Sequence, residues 1–222
     1  VIVTTNGPVG RQNVCCVCEQ GGIDAALSVA PKVGYDNWVQ GEIATQCPDH
    51  IHKSVLLWDP ITTNPYFSEL EEHIMEPFDG IKFFVMNVEA FSTPRGAQTA
   101  GRFLVQNPNN MMAVDESTTI KNRKASRTKN LMVLHKYAKY RRILTGSPIT
   151  KSPMDLFSQC NFLAEKALGF NSYFAFQNRY AMVQKRVMGA KSFQEITGYR
   201  RLDELSEKLD VFSTRILKEE CL

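Results

Sequence analysis

Two consecutive carboxylates follow a short apolar run in the middle of the chain: Asp115 and Glu116 come directly after residues 111–114. Burying even one charge is costly, so such a pair makes sense where a strand opens into a polar crevice that binds a nucleotide. There the first carboxylate can hold Mg²⁺, usually through water, and the second can polarise an attacking water. The alternative interpretation is an ordinary loop that happens to begin with two acids.

A turn that carries hydroxyl groups follows another apolar run about thirty residues later, in the sequence Arg142-Ile-Leu-Thr145-Gly146-Ser147-Pro148. If the two strands are parallel neighbours, the hydroxyls of Thr145 and Ser147 come near the carboxylate pair and can sense it. The alternative is a plain turn, because Gly-Ser-Pro is common in loops.

A lysine at the end of a third apolar run could hold a phosphate. Residues 26–30 are followed by Pro31 and Lys32, and a strand-end lysine beside a helix N-terminus suits phosphate binding. The alternative for Lys32 is an ordinary surface residue, and Trp38 further along is expected in the core.

Positive charge is concentrated in one segment. The chain has 26 Lys and Arg against 23 Asp and Glu, yet residues 117–154 contain ten basic residues and no acid, which leaves 16 − 23 = −7 elsewhere. This distribution is typical of a surface that binds a polyanion. A solvated helix face remains the alternative. The ten residues are Lys121, Arg123, Lys124, Arg127, Lys129, Lys136, Lys139, Arg141, Arg142 and Lys151.

Length and composition define the class of protein. With 222 residues, 43% of them hydrophobic and 22% charged, the chain is an ordinary globular protein, which excludes collagen-like and wholly disordered classes. No apolar run reaches the roughly 18 residues that cross a bilayer, and no secretory signal is recognisable. We therefore expect a cytoplasmic protein with no membrane partner. Its six cysteines are interpreted as buried thiols, in preference to disulfides or a zinc site.

Apolar runs alternate with amphipathic segments along most of the chain. Strands are predicted at 26–30, 54–58, 82–88, 110–114 and 142–145, and helices at 36–46, 64–76, 96–105 and 127–140. Short, continuously apolar strands are typical of a sheet buried on both faces, so the pattern predicts an α/β fold with a mostly parallel sheet. Helices predicted at 155–163, 173–187 and 202–209 form a helical C-terminal extension over residues 149–222.

Taken together, these segments resemble the first motor lobe of the Swi/Snf-type branch of superfamily 2 helicases, closest to the compact versions carried by bacteriophages. The resemblance runs from about residue 21 to residue 222 and follows the order of the family motifs. The matching segments are 27–32 with Asn37-Trp38 (motif Ia), 86–91 (motif Ib), 115–118 (motif II) with the basic 120–122, 144–148 (motif III) with 155–157, and 212–218, which resembles the segment closing the lobe.

The resemblance implies a RecA-like, P-loop NTPase type lobe of a DNA-dependent ATPase that acts on duplex DNA, with ATP and Mg²⁺ as cofactors. By this resemblance Glu116 is the general base and Asp115 holds Mg²⁺ through water. The residues implied in coupling nucleotide state to DNA are Thr118, Thr145, Gly146 and Ser147. The residues expected to contact DNA phosphates, without regard to sequence, are Lys32, Lys121, Arg123, Lys124 and Lys151; of these, the last four are expected to be exposed.

The sequence departs from the family pattern at two places. The family's P-loop ends in Gly-Lys-Thr, whereas no Gly-Lys dipeptide occurs in this chain. The nearest nucleotide-binding candidate is Gly7, Gly10 and Arg11, followed by Gln12, so residues 1–20 are interpreted as a divergent P-loop region. The family's second RecA-like lobe, which supplies arginine fingers, would begin where this chain stops. It is therefore expected as a partner in cis or in trans.

Two hypotheses about function follow. The first is that residues 1–222 form one ATP-binding lobe of a helicase-like translocase, in the host cytoplasm if a phage encodes it. The second is a catalytically inactive remnant that binds DNA or protein. The retained Asp115 and Glu116 favour the first hypothesis. The missing Gly-Lys-Thr favours the second for this chain, which we expect to be almost inactive by itself.

Overall fold

The computed structural model describes residues 2–5, 22–32, 39, 43–60, 63–188 and 191–215. The strands are β1 (Ile2–Thr5), β2 (Ala25–Ala30), β3 (Lys53–Leu57), β4 (Ile81–Asn87), β5 (Asn110–Val114), β6 (Tyr140–Thr145), β7 (Ala181–Met188), β8 (Lys191–Tyr199) and β9 (Ser213–Arg215). The helices are α1 (Ala44–Gln46), α2 (Asn64–Met75), α3 (Pro94–Gln106), α4 (Ser126–Leu134), α5 (Leu156–Leu163), α6 (Tyr173–Tyr180) and α7 (Leu202–Asp210).

Seven of these strands form one mostly parallel sheet in the order β3-β4-β2-β5-β6-β1-β9. The interior strand β2 is buried along its whole length, as its mostly apolar sequence predicts. It runs parallel to β4 on one side and to β5 on the other, and β6 runs parallel to β5. The predicted α/β, RecA-like architecture is confirmed.

One hydrophobic core covers a face of this sheet. Alternate residues of the strands, including Leu27 and Val29 of β2 and Met112 of β5, pack against side chains from α2, α3, α4 and α5. Thr93 caps α3 by accepting a hydrogen bond from the backbone N–H of Gly96, and Pro94 occupies its first turn. The connections after β4 and β5 therefore return across the same face.

Strand β1 was not predicted and has a distinctive pairing. It runs antiparallel to both β6 and β9, with Ile2 opposite Thr145 and Thr5 opposite Arg142. Because β9 follows α7, the end of the extension joins the edge of the main sheet. The helix predicted at 36–46 lies largely outside the described residues, and its described part contains the short helix α1.

The helix predicted at 127–140 ends earlier, at Leu134, which corrects that prediction. Residues His135–Tyr137 form a 3₁₀ turn, and β6 already begins at Tyr140. The fully buried side chain of Asn110 explains the early end, because it donates to the carbonyl of Tyr137 and accepts from the backbone N–H of Lys139. These bonds replace helical ones and turn the chain into the sheet.

The helix predicted at 173–187 is also wrong in its second half. Helix α6 ends at Tyr180, and residues 181–188 form strand β7 of a two-stranded antiparallel hairpin with β8. The helix-favouring residues of this segment misled the prediction, because cross-strand pairing overrides local propensity. The ion pair of Arg186 with Glu195, at 2.6 Å, joins diagonal positions of the two strands. The described part of the extension thus contains three α-helices, a hairpin and a short strand.

None of the described helices is long and apolar enough to cross a membrane.

A buried histidine lies between α2 and the sheet. The ring of His73 stacks on Phe103 with centroids 5.9 Å apart and lies near Phe84. Its Nδ1 atom is 3.2 Å from the hydroxyl of Ser54. Burial, together with the nearby ammonium of Lys82, lowers the pKa of His73 to about 4.

We predict that this histidine makes folding stability depend on pH. An unfolded histidine takes up a proton near pH 6.5, whereas folded His73 stays neutral down to about pH 4. Between these values the unfolded state binds more protons, so stability falls with falling pH, by about 2–3 kcal/mol in total. Urea unfolding at pH 7, 6, 5 and 4 measures this loss, and His73→Phe is expected to remove most of it.

The matched control is His50→Phe at an exposed turn, which should leave the pH dependence unchanged. A smaller slope is expected to remain in His73→Phe, because burial also lowers the pKa of His135. Identical slopes in the parent and His73→Phe would contradict this assignment.

Candidate functional site

The ends of three parallel strands bring the predicted site residues to one edge of the sheet. Val29 of β2 lies opposite Val114 of β5, which lies opposite Ile143 of β6. The backbone N–H of Asp115 donates to the carbonyl of Val29 at 2.7 Å, so β5 stays paired with β2 up to the first carboxylate. Asp115, Lys32 and Thr145 therefore follow or end neighbouring strands at the same edge.

The two carboxylates differ in exposure and backbone conformation. Asp115 is half-buried and its Oδ1 accepts from the backbone N–H of Glu116 at 2.9 Å. Glu116 is exposed and has left-handed backbone angles of φ 46° and ψ 58°. A non-glycine residue in this region costs on the order of 1 kcal/mol. The bend directs the chain at once into the 3₁₀ turn Ser117–Ile120.

The residues present at this edge fit Mg²⁺ held together with a phosphorylated ligand. Mg²⁺ is usually bound by one or two carboxylates plus water and substrate phosphates, and Asp115 and Glu116 supply such a pair. In the described part of the chain there is no cluster of three or more His, Cys, Asp or Glu side chains that could hold a metal alone.

A buried glutamine that the sequence analysis missed joins the two motif segments. The hydroxyl of Ser117, after β5, donates to Oε1 of Gln159 at 2.6 Å, and both residues are fully buried. The Nε2 atom of Gln159 donates to the carbonyl of Pro148, after β6, at 2.7 Å and to the carbonyl of Asp155 at 2.9 Å. One side chain thus links the turn after the carboxylates to the turn after Thr145.

The sequence did contain a signal for Gln159. It lies three residues after Leu156 and three before Phe162, on the stripe of α5 that helical spacing assigns to the core. A glutamine on a buried stripe needs partners for its amide. That requirement could have marked it as a link between segments.

A second set of hydrogen bonds fixes the loop after β6. One carboxylate oxygen of Asp155 accepts from the hydroxyl of Thr150 at 2.9 Å and from the backbone N–H groups of Thr150 and Lys151 at 3.2 and 3.1 Å. Burial alone would raise the pKa of the Asp155 carboxyl, but these hydrogen bonds outweigh burial and lower it. The ammonium of Lys121 donates to the same Thr150 hydroxyl. The segments after β5 and β6 therefore meet here as well.

The predicted coupling residues lie in these two turns. Thr145 is buried, Thr118 is half-buried, and Gly146 and Ser147 are exposed. The Thr145 hydroxyl accepts from the backbone N–H of Ser147 at 3.2 Å, and the Ser147 hydroxyl donates to the carbonyl of Ile149 at 3.0 Å. Both of these bonds stay within the turn, as the plain-turn alternative expects. The link across to the carboxylate segment runs through Gln159.

The predicted cations divide into two groups. Lys32, Lys124 and Lys151 are exposed, in the segments that follow β2, β5 and β6. The expectation that Lys121 and Arg123 are also exposed is corrected, because both are half-buried. Lys121 donates to Thr150, and the Arg123 guanidinium carbon lies 4.4 Å from the ring centroid of Tyr173 and 5.4 Å from that of Phe174. A cation over two aromatic faces is held in place by them.

The predicted P-loop candidates Gly7, Gly10 and Arg11 lie outside the described residues. Asn37 and Trp38 of the segment after Lys32 also lie outside them.

Comparisons with known proteins identify the family. The sequence profile of the SNF2-related domain matches residues 18–218, about nine-tenths of the chain. The chain belongs to the SNF2-related domain family. The resemblance to the first RecA-like lobe of a Swi/Snf-type superfamily 2 motor is thereby confirmed, and the Asp115-Glu116 pair of this SNF2-related domain lies at the carboxyl end of a parallel strand.

Relatives of this SNF2-related domain are much longer proteins. The DNA annealing helicase and endonuclease ZRANB3 of Bos taurus is 32% identical over 112 residues, which are 50% of this chain and 10% of that protein. Human TATA-binding protein-associated factor 172 is 31% identical over 113 residues, 51% of this chain and 6% of that protein. A solved structure, the Sulfolobus solfataricus SWI2/SNF2 ATPase core in complex with dsDNA, is 20% identical with a TM-score of 0.48, covering 71% of this chain and 28% of that one.

We predict that Ser117 and Gln159 contribute to stability as a coupled pair. Gln159→Leu leaves the buried Ser117 hydroxyl without its acceptor and removes the amide donor from two half-buried carbonyls, so it should destabilise the fold by about 1–3 kcal/mol. Ser117→Ala removes the hydroxyl that donates to Oε1 of Gln159. The double variant should be less destabilised than the sum of the two, by about 1 kcal/mol. Urea unfolding of all four proteins measures this coupling energy.

Gln177→Leu, at a half-buried glutamine of the neighbouring helix α6, serves as the control and should show no coupling with Ser117→Ala. Strictly additive effects of the Ser117 and Gln159 variants would contradict the link.

Proposed function

We propose that this chain is the ATP-binding lobe of a DNA-dependent ATPase that moves on duplex DNA. The observation that carries the proposal is the placement of Asp115 and Glu116 at the end of β5, between the ends of β2 and β6, in a chain of the SNF2-related family. Ligands of open α/β sheets bind at this edge, outside the carboxyl ends of the strands.

Each carboxylate has its own role in this proposal. The half-buried Asp115 carboxylate, oriented by the backbone N–H of Glu116, holds the water shell of Mg²⁺. When bound, the metal neutralises charge on the ATP phosphates. Glu116, exposed and turned outward by its left-handed backbone, accepts a hydrogen bond from the attacking water and orients it. The strained bend thus separates a carboxylate that holds the metal from one that handles the proton.

The Gln159 link supports coupling between nucleotide and DNA. Thr118 lies in the turn after the carboxylates, and Thr145, Gly146 and Ser147 lie in the turn after β6. Movement of Ser117 would shift the buried amide of Gln159 and with it the carbonyl of Pro148. Since the amide has no water to exchange with, the two turns must move together. We propose this route for the signal between the two segments.

DNA is proposed to lie across the loops at this same edge. Lys32, Lys124 and Lys151 are exposed there, and Lys121 and Arg123 are held close by Thr150 and by the aromatic rings of α6. Charge contacts of this kind recognise phosphates independently of sequence. Fixed cations such as Arg123 would set the position of the backbone, and the exposed lysines would add affinity.

A second RecA-like lobe, in cis or in trans, is proposed to complete the ATP site. The described residues form one such sheet, and the relatives extend far beyond the region they share with this chain. A closing lobe would supply positive charge to the phosphates from the side opposite Asp115.

The second candidate function is a lobe that binds DNA or protein without ATP turnover. The observation that favours it is the absence of a Gly-Lys dipeptide from the sequence. An arginine at the candidate position keeps the charge but not the compact geometry of an ammonium, and glutamine lacks the hydroxyl that binds Mg²⁺.

We predict that this 222-residue chain hydrolyses ATP barely above background, and that repairing residues 11 and 12 strengthens nucleotide binding. Arg11→Lys with Gln12→Thr restores the lysine and hydroxyl, and one charge-assisted hydrogen bond corresponds to about a tenfold gain in affinity. Titration with a fluorescent ATP analogue in the presence of Mg²⁺ measures this affinity.

In a protein that includes a second lobe, Glu116→Gln should abolish ATP hydrolysis and leave the affinity for the ATP analogue nearly unchanged.

Glu207→Gln is the control, since Glu207 is an exposed carboxylate on α7, outside the motif segments. Normal turnover by Glu116→Gln would refute the assignment of the base. Unimproved binding by the repaired chain would show that residues 7–12 do not hold the phosphates. Absence of turnover in a repaired two-lobed protein that still binds DNA would establish the second function.

We predict that Lys124→Ala combined with Lys151→Ala weakens binding to duplex DNA and reduces its salt dependence. Removing one lysine that neutralises a phosphate lowers the slope of log affinity against log salt by about one, so the double variant should lower it by about two. The weakening should be the same for duplexes of different sequence. Fluorescence anisotropy at several salt concentrations measures both quantities.

Lys129→Ala with Lys136→Ala removes the same charge from exposed positions of the same acid-free segment, on α4 and just after it. This control pair should leave the slope unchanged. An unchanged slope for Lys124→Ala with Lys151→Ala would mean that these cations are only a solvated surface.

A further inference from the structure

An apolar groove lies between α3 and α4. Its volume is about 440 Å³. Three of its lining side chains are large and exposed: Val105 at 54%, Val133 at 58% and Tyr137 at 53%. Gly101 leaves space in its floor, where a Cβ atom would lie 3.2 Å from the side chain of Leu134. Exposed apolar side chains grouped in a groove are typical of an interaction surface.

The exposed apolar side chains of the groove lie toward the opposite edge of the sheet from Asp115. Helix α3 begins after the end of β4 and returns to the start of β5, so Val105 lies five residues before Asn110. Tyr137 likewise lies three residues before Tyr140, the first residue of β6. A partner bound here would leave the edge with the carboxylates accessible.

The helices that form the groove contain no acidic residue. Between Ala90 and Met154 there are twelve basic residues, and the only two acids are Asp115 and Glu116 at the far edge. Lys129 and Lys136 are exposed and flank Val133 at helical spacing. Arg102 and Lys136 form ion pairs with Glu71 and Glu165, but all four side chains are solvent-accessible. The pair of Arg102 with Glu71 is bidentate and holds that cation, whereas the single contact of Lys136 with Glu165 is weak and leaves the Lys136 ammonium available to a partner.

The polar groups of the groove suit a peptide. Gln98, Gln106 and Asn130 line it, and Asn130 is fixed by its bond from Nδ2 to the carbonyl of Phe91 at 2.7 Å. The lining residues of α3 run from Ala97 to Gln106, about 15 Å or three helical turns. An apolar centre with a cationic rim matches an amphipathic helix that has acidic flanks. A nucleic acid backbone would find no apolar complement there.

We propose that this groove is a docking site for an acidic amphipathic helix of a partner protein. The helix would place two or three apolar side chains over Val105, Val133 and Tyr137, with Asp or Glu residues facing Lys129 and Lys136. This site is separate from the proposed ATP and DNA sites. It would recruit the lobe to a partner without blocking them.

The test uses a fluorescein-labelled peptide of about 14 residues with leucines at helical spacing and glutamates elsewhere, titrated with the 222-residue chain. Val133→Glu places a like charge in the centre of the groove and should weaken binding at least tenfold. The matched control is Val211→Glu, an equally exposed valine at 61% outside the groove, which should bind as the parent does. Equal melting temperatures of the three proteins establish that folding is retained.

Three further measurements decide the proposal. A peptide with lysine in place of glutamate should bind at least tenfold more weakly, and raised salt should weaken binding of the acidic peptide. Duplex DNA should bind Val133→Glu as well as it binds Val211→Glu. Equal peptide affinity in all three proteins, absence of acidic-peptide binding, equal binding of the lysine peptide, or a loss of DNA affinity specific to Val133→Glu would each overturn it.

Discussion

The two turns that carry the motif residues depend on one buried amide, that of Gln159. A buried amide must be satisfied, because an unpaired polar group in the core costs about 1–3 kcal/mol. Its oxygen accepts from Ser117 and its nitrogen donates to the carbonyls of Pro148 and Asp155. These bonds tie helix α5 to the ends of β5 and β6, so the packing of the extension and the shape of the candidate site are not independent.

The sheet and the positions of the carboxylates could be predicted from sequence because local pattern and tertiary environment agree there. Strands such as β2 and β5 are mostly apolar without alternation and are largely buried, which leaves few alternatives to strands inside a sheet. Parallel pairing then brings their carboxyl ends together, so Asp115, Lys32 and Thr145 follow from topology. Two acids at the end of a strand indicate a polar site, because burying two unpaired carboxylates in a core would be costly.

Other features depended on contacts that no local pattern contains. The early end of α4 is set by Asn110, which lies 27 residues from the Tyr137 carbonyl it binds. Residues 181–188 have helical propensity, yet they pair with β8. Arg123 was expected to be exposed, but it lies over rings of α6 about fifty residues away. In each case a residue that is distant in the sequence determines the local structure, and a single sequence does not show which distant residues come into contact.

At Glu116, the left-handed backbone favours a different residue type from the carboxylate that the proposed function needs. Glycine adopts these angles without strain and asparagine tolerates them better than glutamate does. The side chain that best suits the bend therefore differs from the carboxylate proposed to orient the attacking water. Directed evolution of this lobe for thermal stability alone would select glycine or asparagine at position 116. The more stable protein would then lack the Glu116 carboxylate. Screens on this scaffold need activity as a second criterion.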